Sequence, residues 1–153
     1  MKISVCIPMY NESSIIADTA RTLDGYMRGN FEDYEIIFSN DGSTDRSAEV
    51  VEELGLPNVR VIGYPDNRGK GSAVREAMLA ATGDVVMFTD SDLAYGVDVI
   101  KSVYDKFLND SDVDDINKVD VVIGSRNISA DGYEGYTFMR KIASKCYVKV
   151  LCI

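Results

Sequence analysis

Short β-branched runs alternate along this chain with longer stretches whose apolar residues recur at helical spacing. The first run, residues 3–7 (Ile-Ser-Val-Cys-Ile), stops at Pro8 and predicts a strand. Asn11 then reads as an N-cap, with Ser14, Ile15 and Ile16 opening a helix towards Met27. Residues 34–39 predict a second strand, closed by the turn Asn40-Asp41-Gly42. Ser43 or Thr44 can cap a helix over 47–54. A third strand is expected at 59–62, closed by Gly63 and Pro65, and a helix at 72–81, stopped by Gly83. Residues 84–89 and 119–123 predict the fourth and fifth strands, with a helix at 97–108 between them.

Strand and helix alternate throughout, and each connection is long enough for a crossover helix. That argues for an α/β domain, a Rossmann-like, mostly parallel sheet with helices on both faces. No flexible linker interrupts residues 1–153, so one domain is expected. Residues 109–120 are the least patterned, with Asp110, Asp112, Asp114, Asp115 and Asp120 close together. They lack the central Gly and closing Glu of a calcium loop and read as a solvated insertion. Near the end, Phe138, Met139, Ile142, Ala143, Cys146, Tyr147, Val150 and Leu151 keep helical spacing against a basic opposite face. That pattern has no C-cap signal, which reads as a piece of something longer.

Charge sharpens the picture. The net charge is −9, yet Arg140, Lys141, Lys145 and Lys149 meet no acid within residues 136–153. An acidic body with a basic tail is a poor general nucleic-acid binder. With no His in the chain, His-based acid–base catalysis and His-ligated zinc are excluded. Cys6, Cys146 and Cys152 are odd in number and lack ligand spacing, which suits a reducing compartment.

Each expected strand is followed by a polar group, and a parallel sheet would place all of them on one rim, where open α/β sheets bind ligands. In Asp90-Ser91-Asp92 the two carboxylates share a face, as for an oxygen-ligated Mg²⁺ or Mn²⁺. A capped turn after a buried strand gives the same residues. Arg68-Gly-Lys-Gly71 could let a backbone approach phosphate beside Lys70, or could be a glycine turn with a solvated lysine. It is neither a Walker A loop nor the dinucleotide fingerprint. Arg126 could grip phosphate or make a surface ion pair. Tyr10 could stack on a base or be a rim aromatic, and Asp41 could accept from a base N–H or form an Asx turn. Together the groups describe a site for a nucleoside diphosphate and a cation.

In this order, Ile7-Pro-Met-Tyr-Asn-Glu12, Asn40-Asp-Gly-Ser-Thr-Asp45, Asn67-Arg-Gly-Lys-Gly71, Asp90-Ser-Asp92 and Gly124-Ser-Arg126 resemble the GT-A glycosyltransferases of family 2. Within that family the fused Asn-Arg-Gly-Lys-Gly run, with Arg140 and Ser144 after Gly-Ser-Arg, looks most like dolichyl- or polyprenyl-phosphate sugar transferases. The resemblance implies a GT-A fold and transfer of a sugar, with inversion, from a UDP-glucose or GDP-mannose type donor to a lipid phosphate. It implies that Pro8, Tyr10, Glu12 and Asp41 hold base and ribose and that Lys70 neighbours the diphosphate. Asp90 and Asp92 would hold Mg²⁺ or Mn²⁺, with Asp92 the closer ligand. Asp92 and Arg126 would act at the reaction itself, Arg126 on phosphate, while Arg140 and Ser144 would face the acceptor phosphate. It also implies work at the cytoplasmic face of a membrane. Two other readings stand beside it: a family 2 transferase for a polysaccharide or protein acceptor, and an inactive nucleotide-binding module.

Overall fold

The computed structural model describes residues 1–109 and 120–122. The chain divides into two compact units, Met1–Val119 and Asp120–Ile153, and the elements below belong to the first. In order they are β1 (Ile3–Met9), α1 (Ile16–Asn30), β2 (Tyr34–Asp41), α2 (Ser47–Glu52), β3 (Val59–Tyr64), α3 (Lys70–Ala80), β4 (Val85–Phe88) and α4 (Asp98–Asn109). The strands lie in the order β3-β2-β1-β4, every neighbouring pair parallel. Of the expected fifth strand only residues 120–122 are described, and they carry no strand pairing. The acidic stretch and the C-terminal helical pattern fall outside the described residues.

The two faces of the sheet differ because side chains alternate along each strand. Ile3, Val5, Ile7 and Met9 of β1 join Tyr34, Ile36 and Phe38 of β2 on one face. They pack with Ile16, Ala20, Leu23 and Met27 of α1, Val51 of α2, and Ile100 and Tyr104 of α4. The α1 residues recur every three or four positions, the spacing that makes one apolar helix stripe. On the other face Cys6 and Ile37 meet Ala77 of α3. Burial, and then the negative charge of Glu35, push the Cys6 thiol up to about 12, so it packs as an inert apolar group.

That second face carries a polar cluster at the N-terminal ends of the strands. Glu35 is buried at 8% exposure. Its Oε1 accepts from Ser4 Oγ at 2.7 Å, Thr82 N at 2.7 Å and Thr82 Oγ1 at 2.8 Å. Its Oε2 accepts from Arg60 Nε at 3.2 Å and Nη2 at 3.1 Å. Arg60 Nη2 also donates to the Ala80 carbonyl at 2.6 Å, satisfying the end of α3. Burial alone would raise the Glu35 carboxyl, but the bonds from Ser4, Thr82 and Arg60 outweigh it and hold the group at about 2.

Several boundaries differ from the sequence expectation for physical reasons. β1 runs through Pro8 to Met9, because β4 pairs only as far as Cys6 and Pro8 meets no ladder partner on that side. β3 continues through Gly63 to Tyr64, paired with Asn40 and Asp41. α1 opens at Ile16, and Asn11 does not cap it. Neither Ser43 nor Thr44 caps α2, whose first amide, Ser47 N, donates to Asp45 Oδ1 at 3.0 Å. Gly83 is not a helix stop. A Cβ there would lie 2.7 Å from Ser4 Oγ and 2.8 Å from Ser4 N, so only glycine lets the turn into β4 pass β1 this closely.

A carboxyl held low in the fold stabilises it above the unfolded pKa, and that contribution is lost as pH falls through the folded value. For Glu35 the window runs from 4.5 down to about 2. Glu35→Gln should therefore cost roughly 2–3 kcal/mol at pH 7. Urea unfolding of both proteins across pH 7 to 2 checks this: the gap between them should close as pH falls through that window.

Candidate active site

The C-terminal ends of β1 to β4 open onto one cleft of about 350 Å³. Pro8, Met9 and Tyr10 line it from the first strand and loop, with Glu12 beyond them. Asp41 comes from the end of β2, Asn67, Gly69 and Lys70 from the loop into α3, and Asp90, Ser91 and Asp92 from the loop after β4. A wider cleft of about 510 Å³ lies at the other end of the strands, beside Arg28, Phe31, Tyr34 and Asn58, and holds none of these motifs. Seven candidates, Pro8, Tyr10, Glu12, Asp41, Lys70, Asp90 and Asp92, thus meet in one place. Arg126, Arg140 and Ser144 lie outside the described residues.

The first two loops are zipped together. Asn11 adopts φ +54, a left-handed conformation that Asn tolerates better than most residues. Its Oδ1 accepts from Thr44 N at 2.8 Å, Thr44 Oγ1 at 3.3 Å and Asp45 N at 3.4 Å, while its own amide donates to Ser43 Oγ at 3.0 Å. Glu12 N donates to Ser47 Oγ at 2.8 Å and Ser13 N to Asp45 Oδ2 at 3.0 Å. Burial would raise Asp45, but bonds from Ser47 and Ser13 hold its carboxyl at about 2. Asn11 and Asp45 thus fix the loops that carry Tyr10, Glu12 and Asp41. Sequence reading gave Asn11 the wrong task and Asp45 no task, since their partners lie more than thirty residues apart in the chain.

Gly42 presses the second loop against the third. It has φ +68, and a Cβ there would lie 2.6 Å from Asn67 N. Asp41 is buried, and its Oδ1 accepts from Tyr64 Oη at 2.6 Å and Arg68 N at 2.8 Å. Burial, then this bond to Asp41, push the Tyr64 hydroxyl up to about 12, so it stays a donor. The Arg68 guanidinium sits 4.4 Å from the Tyr64 ring centroid. Asp41 therefore anchors the loop that delivers Lys70 as well as facing the cleft.

The acidic side is built differently. Lys70 Nζ donates to Asp90 Oδ1 at 2.5 Å. Asp92 is exposed, and its Oδ1 accepts from Ala94 N at 3.0 Å. Ser91 between them is buried, its carbonyl accepting from Thr19 Oγ1 at 2.6 Å. Glu12 Oε2 is buried with no hydrogen-bond partner among the described residues. Burial raises the Glu12 carboxyl most. The Ser91 hydroxyl opposes that, the charges of Asp92 and Asp90 add to it, and Lys70 opposes it. No group of three or more His, Cys, Asp or Glu side chains stands ready for a metal among the described residues. The oxygen donors of Asp90 and Asp92 nevertheless fit Mg²⁺ or Mn²⁺, which take one or two carboxylates and fill their shell with phosphate oxygens and water.

Comparison with known proteins identifies the family of the fold. A dolichol-phosphate mannosyltransferase of Pyrococcus furiosus is 34% identical over 151 residues, covering 98% of this chain and 40% of that protein. A dolichyl-phosphate beta-glucosyltransferase of Trichomonas vaginalis is 33% identical over 152 residues, covering 92% of this chain and 44% of that protein. The chain thus spans about two fifths of the length of these relatives. Among solved structures, the mannosyltransferase PcManGT of Pyrobaculum calidifontis, in complex with GDP-Man and Mn²⁺, superposes with a TM-score of 0.56 at 26% identity, over 67% of this chain and 31% of that one. S. aureus TarS in complex with UDP gives 0.60 at 26% identity, over 72% of this chain and 33% of that one. The parallel sheet and its helices are those of a GT-A glycosyltransferase. Residues 4–149 match the model of glycosyl transferase family 2, and the chain belongs to that family.

Proposed function

We propose that this chain binds the donor in a transferase that moves a sugar, with inversion, from a nucleoside diphosphate sugar to a polyprenyl or dolichyl phosphate. The observation that carries the reading is one cleft joining Tyr10, Glu12 and Asp41 to Lys70, Asp90 and Asp92. An exposed aromatic and a carboxylate suit a base and ribose. Tyr10, 45% exposed, offers a stacking face, and the second oxygen of Asp41 is the acceptor we assign to a base N–H. Lys70 leaves Asp90 for the diphosphate, a stronger and more charged acceptor. Asp90 and Asp92 would hold a divalent cation, which when bound supplies positive charge against the departing diphosphate.

The acceptor rests on the relatives, two of which are named for dolichol or dolichyl phosphate. A phosphate oxygen is already anionic at neutral pH and needs no general base, which fits a chain without His. We assign Arg126, Arg140 and Ser144 to phosphate groups, and we place the reaction at the cytoplasmic face of a membrane. No helix among the described residues is long and apolar enough to cross one.

Calorimetric titration with UDP and GDP sugars, in Mn²⁺ or in chelator, is the direct test. Binding should tighten with Mn²⁺, and equal affinity in both would sink the reading. Asp92→Ala should abolish most of that gain with an unchanged melting temperature, because the side chain is exposed. Asp41→Asn should weaken nucleoside binding by roughly 1–3 kcal/mol through loss of a charged acceptor. In a sugar-transfer assay, Arg140→Ala should lower transfer to polyprenyl phosphate while sparing donor hydrolysis; unchanged lipid transfer would remove Arg140 from the acceptor site.

A further inference from the structure

The loop that carries Asp90 and Asp92 leaves the sheet after Thr89 N donates to Cys6 O at 3.1 Å. From there to α4 several bonds within the loop shape it. Leu93 N donates to Asp90 O at 3.2 Å, Gly96 N to Leu93 O at 2.8 Å, and Ala94 N to Asp92 Oδ1 at 3.0 Å. Leu93 at φ +48 and Gly96 at φ +73 are both left-handed, an unfavourable conformation for leucine. Internal bonds can shape a loop but cannot place it against the rest of the fold.

On the exposed side Lys70 of α3 holds Asp90, and on the buried side placement falls to Ser91, 5% exposed between the two carboxylates. Its hydroxyl opposes the rise that burial imposes on the Glu12 carboxyl, and its carbonyl takes the Thr19 hydroxyl at 2.6 Å. Thr19 is a buried residue of α1 and does not line the cleft. A helical threonine ordinarily returns its hydroxyl to the carbonyl one turn back. Here that contact, to Ile15 O, is the longer one at 3.3 Å. The helix has committed its buried donor to the loop, and a carbonyl left without it would lose a bond in a place water does not reach.

We propose that Thr19 is a positioning residue: by holding the Ser91 carbonyl it fixes the outward presentation of Asp90 and Asp92 towards the donor diphosphate. The claim rests on the donor-site reading above, but part of it can be read without any ligand. Thr19→Val keeps the shape and removes the hydroxyl, while Thr19→Ser keeps the hydroxyl. Amide hydrogen exchange of residues 90–96 should accelerate several-fold in Thr19→Val, with β1 and β2 unchanged, and return to normal in Thr19→Ser. Affinity for UDP or GDP with Mn²⁺ should fall about tenfold in Thr19→Val, the equivalent of one lost hydrogen bond. Affinity in chelator should stay within a factor of two or so, a split that general destabilisation would not produce. If exchange rises throughout the valine variant, Thr19→Ala takes its place in the same comparison. Unchanged loop exchange overturns the proposal whatever the binding, and so does faster exchange with unchanged Mn²⁺-dependent affinity. If the wild type binds neither nucleotide, the donor-site reading falls, and exchange with its serine rescue alone decides whether Thr19 places the loop.

Discussion

A carboxylate enclosed beneath three parallel strands governs where the chemistry of this molecule ends up. Glu35 joins Ser4 of β1, Arg60 of β3 and Thr82 in the turn before β4. Gly83 N then donates to Ser4 Oγ at 2.9 Å, and Lys2 N to Asp84 Oδ2 at 2.8 Å. These contacts fix the register of β4, in which Ile3 stands opposite Val85 and Cys6 opposite Phe88. Strand side chains alternate with period two, so a slip of one residue would reverse which of them are buried. The loop that follows, with Asp90 and Asp92, would then leave the sheet one residue out of place. The ion pair at one end of the sheet thereby helps fix where the loop bearing the carboxylates leaves it at the other.

Much of this was legible in the residues. The β-branched runs marked β1 to β4, and the helical periodicities marked α1, α3 and α4 to within a few positions, because burial on both faces of a parallel sheet leaves a strong apolar signature. The convergence of Tyr10, Glu12, Asp41, Lys70, Asp90 and Asp92 followed from strand direction alone, since parallel strands end on one rim. The errors share a different origin. Asn11 looks like a cap because Asn caps helices, yet its side chain serves a loop more than thirty residues away. Gly83 looks like a helix stop because Gly ends helices, yet it is small to clear Ser4. Thr19 looks like any helical threonine. Each role depends on a partner brought close only by the fold, which local pattern does not encode.

The cleft is also electrically unusual for a site that would hold a diphosphate. Lys70 is the basic group among its described lining residues, against Glu12, Asp41, Asp90 and Asp92. At physiological ionic strength screening confines their influence to about 8 Å, so the local balance matters more than the net charge of the chain. That balance disfavours a bare anion and favours one that arrives with a cation, and Lys70 is already committed to Asp90. The buried Glu12 oxygen, without a hydrogen-bond partner among the described residues, belongs to the same acidic arrangement.

The central position of β1 has a consequence for how the cleft comes into being during synthesis. β1 pairs with β2 on one edge and with β4 on the other, and β4 begins only at Val85. As the chain emerges from the ribosome, β1, β2 and β3 can close their ladder first, bringing the Asn11 and Asp45 zipper with them. The second edge of β1 waits some eighty residues for its partner, a long-range pairing of the kind that slows folding. Strand order thus allows the pocket to be built in two instalments, the side bearing Tyr10 and Asp41 early and the acidic loop late. Until the second is complete, a nascent chain has half a binding site and an open strand edge that a neighbouring chain could pair with instead.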